Sequence, residues 1–174
     1  ILADLGIPFT VRTADADETC SLENPAERVA AIAVRKCRAV CNVMTNDGTL
    51  TDDTLVVAAD TLVYCEGSFL GKPHDNVDAA AMLRLLSGRT HSVWSGIAAV
   101  WNVHTVTAAE ETAVTFSVMA ERDIAAYLAS GEPFGKAGAY AIQGGAARYI
   151  TGIRGDYFNV VGLPVHRLVR TLKQ

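Results

Sequence analysis

The stretch Leu55-Val-Val-Ala-Ala-Asp60-Thr61-Leu-Val-Tyr-Cys-Glu66-Gly67-Ser-Phe-Leu-Gly71-Lys72-Pro73 decides the fold. Its first five residues form a continuous apolar run, which predicts a buried strand reaching Asp60. Residues 61–71 then predict a hairpin turning about Glu66-Gly67. A sheet therefore lies at the centre of the chain, and the signals on either side decide what covers it.

Upstream, residues 24–44 predict the clearest helix, with Asn24 as N-cap and Pro25 at the first helical position. Downstream, residues 76–87 predict a helix stopped by Gly88, and residues 121–130 another stopped by Gly131 and Pro133. Residues 164–173 predict a last, amphipathic helix. Residues 91–101 and 103–118 predict a long antiparallel pair turning near Asn102. Ala146–Ile150 and Tyr157–Val161 predict two shorter strands. Interleaved signals of this kind give an α/β (α+β) domain with a mixed, mainly antiparallel sheet. The 174 residues suit one domain, which at this size buries roughly 70% of its unfolded surface.

Half of the residues are apolar and 20% are charged, which excludes a disordered chain. The net charge of −4 argues against nucleic-acid or membrane partners, although a small anionic ligand needs only a few local cations. No apolar run is long enough for a membrane span, and no secretion signal is visible. The sequence begins Ile-Leu-Ala, without an initiator Met, which is expected of a trimmed or partial product. The cysteines Cys20, Cys37, Cys41 and Cys65 form no CxxC pair, and Cys37 and Cys41 read as core packing on the first helix. A reducing, cytoplasmic setting fits. No GxGxxG or P-loop pattern and no Ser-His-Asp or Cys-His arrangement is present. The scattered His74, His91, His104 and His166 suggest no role.

The informative residues are polar groups where apolar ones are expected. On the first helix Val29, Ile32, Ala33, Cys37, Val40 and Val43 share a stripe, and at 100° per residue Lys36 falls about −20° from Val29, inside it. A lysine there either snorkels to the rim or points into an anion site. Asp60 closes a buried strand and needs an ion pair, hydrogen bonds or a catalytic task. A two- or three-residue turn makes opposed positions in the hairpin sum to about 132–133. Asp60 or Thr61 is then expected across from Lys72, either as a structural ion pair or as part of a site. Glu18, in the loop Asp15-Ala-Asp-Glu18, is either solvated or a divalent-cation ligand. Lys136-Ala-Gly-Ala-Tyr-Ala-Ile-Gln143-Gly-Gly is either a glycine-rich strand and turn or a close-approach segment in which Gln143 reads a base edge. Carboxylates, lysines and one amide together suit phosphate-ester hydrolysis.

These residues resemble the Maf family, septum-formation-inhibitor-like nucleoside triphosphate pyrophosphatases. The matching segments are Asp17-Glu18, Ala33-Val-Arg-Lys36, Ala59-Asp60-Thr61, Gly71-Lys72-Pro73, Met82-Leu-Arg-Leu-Leu-Ser-Gly88, Lys136 through Gly144, and Gly155-Asp-Tyr-Phe-Asn-Val-Val-Gly-Leu-Pro164. They stand in family order across nearly the whole chain. The resemblance implies a single domain over residues 1–174, with a fold like that of inosine-triphosphate pyrophosphatases: a long mixed sheet and flanking helices in two lobes around a cleft. It implies hydrolysis of a nucleoside triphosphate to the monophosphate and pyrophosphate with a divalent cation, Mg²⁺ or Mn²⁺. It makes Asp60 the base that activates water and places Glu18, Lys36 and Lys72 in the phosphate and metal region, with Glu18 and Asp60 as metal ligands. Thr61 and Gln143 match the dTTP/UTP branch, which is also expected to accept modified pyrimidine nucleotides, rather than the 7-methyl-GTP branch.

The chain departs from the family pattern in places. Members carry a Ser-x-Ser-Pro-Arg-Arg segment a few residues before the match to Leu5-Gly6, and that segment is expected upstream of Ile1. Gly135 replaces a usual Asp and Cys37 a usual Ala. Two other readings remain: a nucleotide-binding regulator of septum formation and cell division with little catalysis, and the same chemistry on a purine such as ITP. A homodimer is a further expectation.

Overall fold

A computed structural model describes residues 1–173. The chain is a mixed α/β protein with elements in the order α1 (Pro25–Asn46), β1 (Val56–Cys65), β2 (Ser68–Leu70), α2 (Asn76–Leu86), β3 (Thr90–Trp101), β4 (His104–Phe116), α3 (Glu121–Ala129), β5 (Ile150–Arg154), α4 (Tyr157–Val161) and α5 (Val165–Leu172). The strands hydrogen-bond in the order β2-β1-β3-β4-β5. β1 and β2 are antiparallel with Val63 opposite Leu70 and Cys65 opposite Ser68. This leaves the expected two-residue turn, in which Glu66 (φ 48°) and Gly67 (φ 82°) both take the left-handed conformation that such a hairpin requires. β3 and β4 are joined by Asn102 (φ 51°) and Val103, and β4 pairs antiparallel with β5.

The chain forms two compact units. Unit 1 comprises the described residues of 1–60, 95–110 and from 162 onward, and unit 2 residues 61–94 and 111–161. In unit 1, Asn24 caps α1 by accepting the N–H groups of Ala26 and Glu27, as its sequence predicts. The buried residues of α1 are Val29, Ile32, Ala33 and Cys37, and Ala33 and Cys37 pack with Val56 and Ala98. The Cys37 thiol donates to Ala98 O at 3.2 Å, and a Cβ on Gly96 would overlap the Val29 backbone. The helix thus rests directly on strand backbone, which fixes the direction of Lys36.

In unit 2, the core gathers Val63, Leu83, Leu86, Val93, Val114, Phe116, Ile124, Tyr127 and Tyr140. His91 lies inside it, edge-on to Phe116 and Tyr140, with Nε2 2.8 Å from the Tyr140 hydroxyl. The two short strands predicted at Ala146–Ile150 and Tyr157–Val161 are different elements. Gly145–Tyr149 is a 3₁₀ turn and β5 starts only at Ile150. Tyr157–Val161 is helical, capped by Asp156, whose carboxylate accepts the Phe158 N–H at 2.8 Å. That turn directs Asn159 inward, fully buried, where its amide donates to Val93 O and Thr112 Oγ1. Five residues carry too little periodicity to separate strand from helix, so the cap decides.

Asp60 also differs in position. It sits inside β1, which continues five residues beyond it to Cys65, rather than at the strand's end. Among the described residues, no helix is long and apolar enough to cross a membrane.

Candidate functional site

Lys36 is the centre of a three-residue constellation in unit 1. Its Nζ lies 2.7 Å from Asp60 Oδ1 and 3.1 Å from Glu18 Oε1. The Asp60 side chain is 12% exposed, Lys36 24% and Glu18 52%. The carboxylate held by β1 is therefore nearly buried, while the loop carboxylate reaches in from solvent. Burial pulls the Lys36 ammonium toward a lower pKa, but the bonds to Asp60 and Glu18 outweigh it, and the net shift is upward. Lys36 thus stays charged.

The sequence predicts two lysines around one carboxylate, whereas unit 1 brings two carboxylates to one lysine. The hairpin register, with opposed numbers summing as Val63 with Leu70, assigns Thr61 rather than Asp60 to Lys72. The ladder nevertheless ends at Leu70, so Lys72 is an exposed residue beyond it and not a cross-strand partner. In unit 2, Thr61 is half-buried on β1, and Gln143 is exposed ahead of Gly144-Gly145. Gly71 O accepts the Gly138 N–H at 3.0 Å, which ties the turn bearing Lys72 to the segment leading to Gln143. The small residues of that segment serve packing: Gly138 lies against the Val63 side chain, and Ala139 is fully buried.

Glu18 is held in place by residues that sequence reasoning passes over. Arg35 donates to Thr19 O at 2.6 Å and pairs with Asp17 at 3.5 Å. Asp17 in turn accepts the Thr19 N–H and hydroxyl at 2.8 and 2.6 Å. These Thr19 bonds, with Arg35 adding, hold the Asp17 carboxyl below its ordinary pKa. Two consecutive helical residues, Arg35 and Lys36, thereby anchor three consecutive loop residues. The available signal was Asp17-x-Thr19, the spacing of a turn in which the acid bonds the backbone two residues on.

A family model described as "Maf-like protein" matches residues 1–174. The chain belongs to the Maf family. Among its relatives are proteins named dTTP/UTP pyrophosphatase. That of Moorella thermoacetica is 50% identical over 169 residues, 95% of this chain and 83% of its own length. That of Symbiobacterium thermophilum is 45% identical over 175 residues, covering 100% and 87%. That of a Bacillus cereus strain is 43% identical over 170 residues, covering 97% and 85%.

Unit 1 brings two carboxylates, Glu18 and Asp60, around one point. Glu18 and Asp60 offer hard carboxylate oxygens, and Mg²⁺ is usually held by one or two carboxylates plus substrate phosphates. Among the described residues, no group of three or more His, Cys, Asp or Glu is placed to hold a metal by protein atoms alone. The Lys36 ammonium occupies the space between the two carboxylates.

Proposed function

We propose that this protein hydrolyses dTTP and UTP to the nucleoside monophosphate and pyrophosphate. The observation that carries the chemistry is the Lys36 ammonium bridging Asp60 and Glu18. The substrate follows from relatives 43–50% identical that are named for it.

In this reading Lys36 holds Oδ1 of Asp60, and Oδ2 is the oxygen that meets a water. Asp60 takes a proton from that water, whose oxygen attacks the α-phosphorus as the bond to the bridging oxygen breaks and pyrophosphate departs. Lys36 and Lys72 neutralise phosphate oxygens as charge develops on the leaving group. Glu18 and Asp60 would hold Mg²⁺ or Mn²⁺, which when bound supplies Lewis-acid polarisation of the phosphate oxygens. Thr61 and Gln143 read the base, with Gln143 offering one acceptor and paired donors to a pyrimidine edge. The whole chain acts as one catalytic domain. A cytoplasmic setting is supported by its four free cysteines.

The deciding experiment incubates the full-length protein with dTTP, UTP, CTP, ITP and 7-methyl-GTP, each with Mg²⁺ or Mn²⁺, and follows release of pyrophosphate. Turnover strongest on dTTP and UTP is expected. Tight nucleotide binding without pyrophosphate release would overturn the assignment in favour of a regulator of cell division. Faster turnover of ITP would move the substrate to purines. The assembly expected of such an enzyme is a homodimer, which gel filtration with light scattering would detect.

A further inference from the structure

We propose that Tyr127 and Glu132 form a clamp that positions Gln143 and thereby sets which base the protein accepts. This rests on the reading of Gln143 as the base-contacting residue.

Gln143 is exposed, and an exposed glutamine on a loose loop would lose much of its selectivity to rotamer and backbone freedom. Its loop is held at both shoulders by one pair of side chains. On the upstream side the Ala141 N–H donates to Tyr127 Oη at 3.1 Å. On the downstream side the Gly145 N–H donates to Glu132 Oε2 at 2.8 Å. The pair is closed by Tyr127 Oη donating to Glu132 Oε1 at 2.5 Å. Between the shoulders the Gly144 N–H returns to Ala141 O at 3.1 Å. The backbone on either side of Gln143 is thus tied into this frame or into the turn itself.

The frame is rigid because its base is core. Tyr127 is on α3 with 5% of its surface exposed, packed among Ile124, Phe116 and Tyr140. Glu132 follows the helix directly, after the Ser130-Gly131 stop. Its chemistry is specific too. The phenol and the loop N–H groups are all donors, and only an acceptor-only carboxylate can receive them together. Burial pushes the Glu132 pKa up, but the bonds from Gly145, Tyr127 and Ala146 together outweigh it and hold it below its ordinary value. The fit is close at Gly144, where a Cβ would overlap the Glu132 carboxylate. A side chain at 144 would push the Glu132 carboxylate out of this position, while the backbone there, with φ −113°, needs no glycine.

Neither residue touches the reacting phosphate in this account, so both are positioning residues. The test compares Tyr127→Phe and Glu132→Gln, which keep side-chain size, with Gln143→Ala, measuring kcat and KM for dTTP, UTP and CTP on the full-length protein. Glu132→Gln puts an amide donor against at least one existing donor. The expected result for both clamp variants is a KM for dTTP and UTP raised about tenfold with kcat changed less than about threefold. The dTTP-over-CTP ratio of kcat/KM should fall to that of Gln143→Ala, and adding Tyr127→Phe to Gln143→Ala should lower it no further. Circular dichroism establishes that each variant is folded. Folded clamp variants that keep the wild-type ratio while Gln143→Ala loses it would overturn the clamp. So would an equal loss on all nucleotides, the mark of a merely structural role. Unchanged discrimination in Gln143→Ala would instead overturn the base-reading assignment, and the clamp's purpose with it.

Discussion

Lys36 donates to Asp60 across 2.7 Å, from the fourth turn of a helix to the middle of a strand. The bond joins a side chain that the apolar stripe of α1 directs toward the sheet with one that β1 directs toward the helix. A second carboxylate, Glu18, meets the same ammonium at 3.1 Å. Two negative groups at this distance repel unless a cation stands between them, so each partner's state depends on the others.

Replacing Asp60 by Asn keeps the shape and an acceptor for Lys36 but removes the basic oxygen. Turnover is expected to fall by about 10²–10⁴, with the far-ultraviolet spectrum unchanged. Pyrophosphate release at the wild-type rate would show that Asp60 is not the base.

Lys36→Met removes the cation and leaves Asp60 and Glu18 facing each other. Loss of charge-assisted hydrogen bonds to a nearly buried carboxylate should cost about 2 kcal/mol, read as a lower urea midpoint. The variant should also raise KM for the triphosphate, because Lys36 is expected to contact phosphate. An unchanged midpoint would mean that the triad contributes nothing to folding.

Two groups give the protein opposite pH limbs. Lys36 has its pKa raised above 10.5 in the folded protein. Its contribution is therefore complete below that value and is lost as pH climbs through the folded pKa. Burial lowers His91 from 6.5 to about 4, and its Nδ1 has no hydrogen-bond partner among the described residues. Its neutral form favours the fold above pH 6.5, and that stability drains away as pH falls toward 4, a loss on the order of 3 kcal/mol. Urea denaturation at stepped pH should show this acid limb, and His91→Gln should flatten it. An identical pH slope in that variant would remove His91 from the account.

Gly96→Ala tests the seat of the site. Its new Cβ would overlap the Val29 backbone and push α1 away from β3. Overpacking of this kind typically costs about 1–3 kcal/mol or more, and the shift should also weaken the Lys36 to Asp60 bond. Lower stability together with lower turnover is expected. Full activity and stability would show that the helix tolerates the displacement.

Several of these features are legible in the sequence. Asn24-Pro25 starts α1, Glu66-Gly67 closes the hairpin, and Gly88 and Gly131 stop their helices. Each is a local signal whose physics needs only neighbouring residues. Lys36 is legible by the same logic, as a charge where the helical period demands an apolar group. Glu18 is legible only as one of two readings, because Asp15, Asp17 and Glu18 look alike as a solvated acidic run and the family resemblance alone singles it out. In the structure the Arg35 and Lys36 anchors distinguish them. The strands predicted at 146–150 and 157–161 fail for another reason: segments of five residues take whichever conformation their caps and buried partners impose, which for 157–161 are Asp156 and Asn159.

The sequence by itself determined the longer elements, the hairpin turn, the family and the candidate acid and amine, since periodicity, capping and left-handed turn residues act over a few positions. The tertiary structure alone decided that Asp60 lies within its strand, that two acids share one lysine, and that Tyr127 and Glu132 frame the Gln143 loop. Those bonds join residues between 5 and 24 positions apart, which only the packing of one element on another brings within reach.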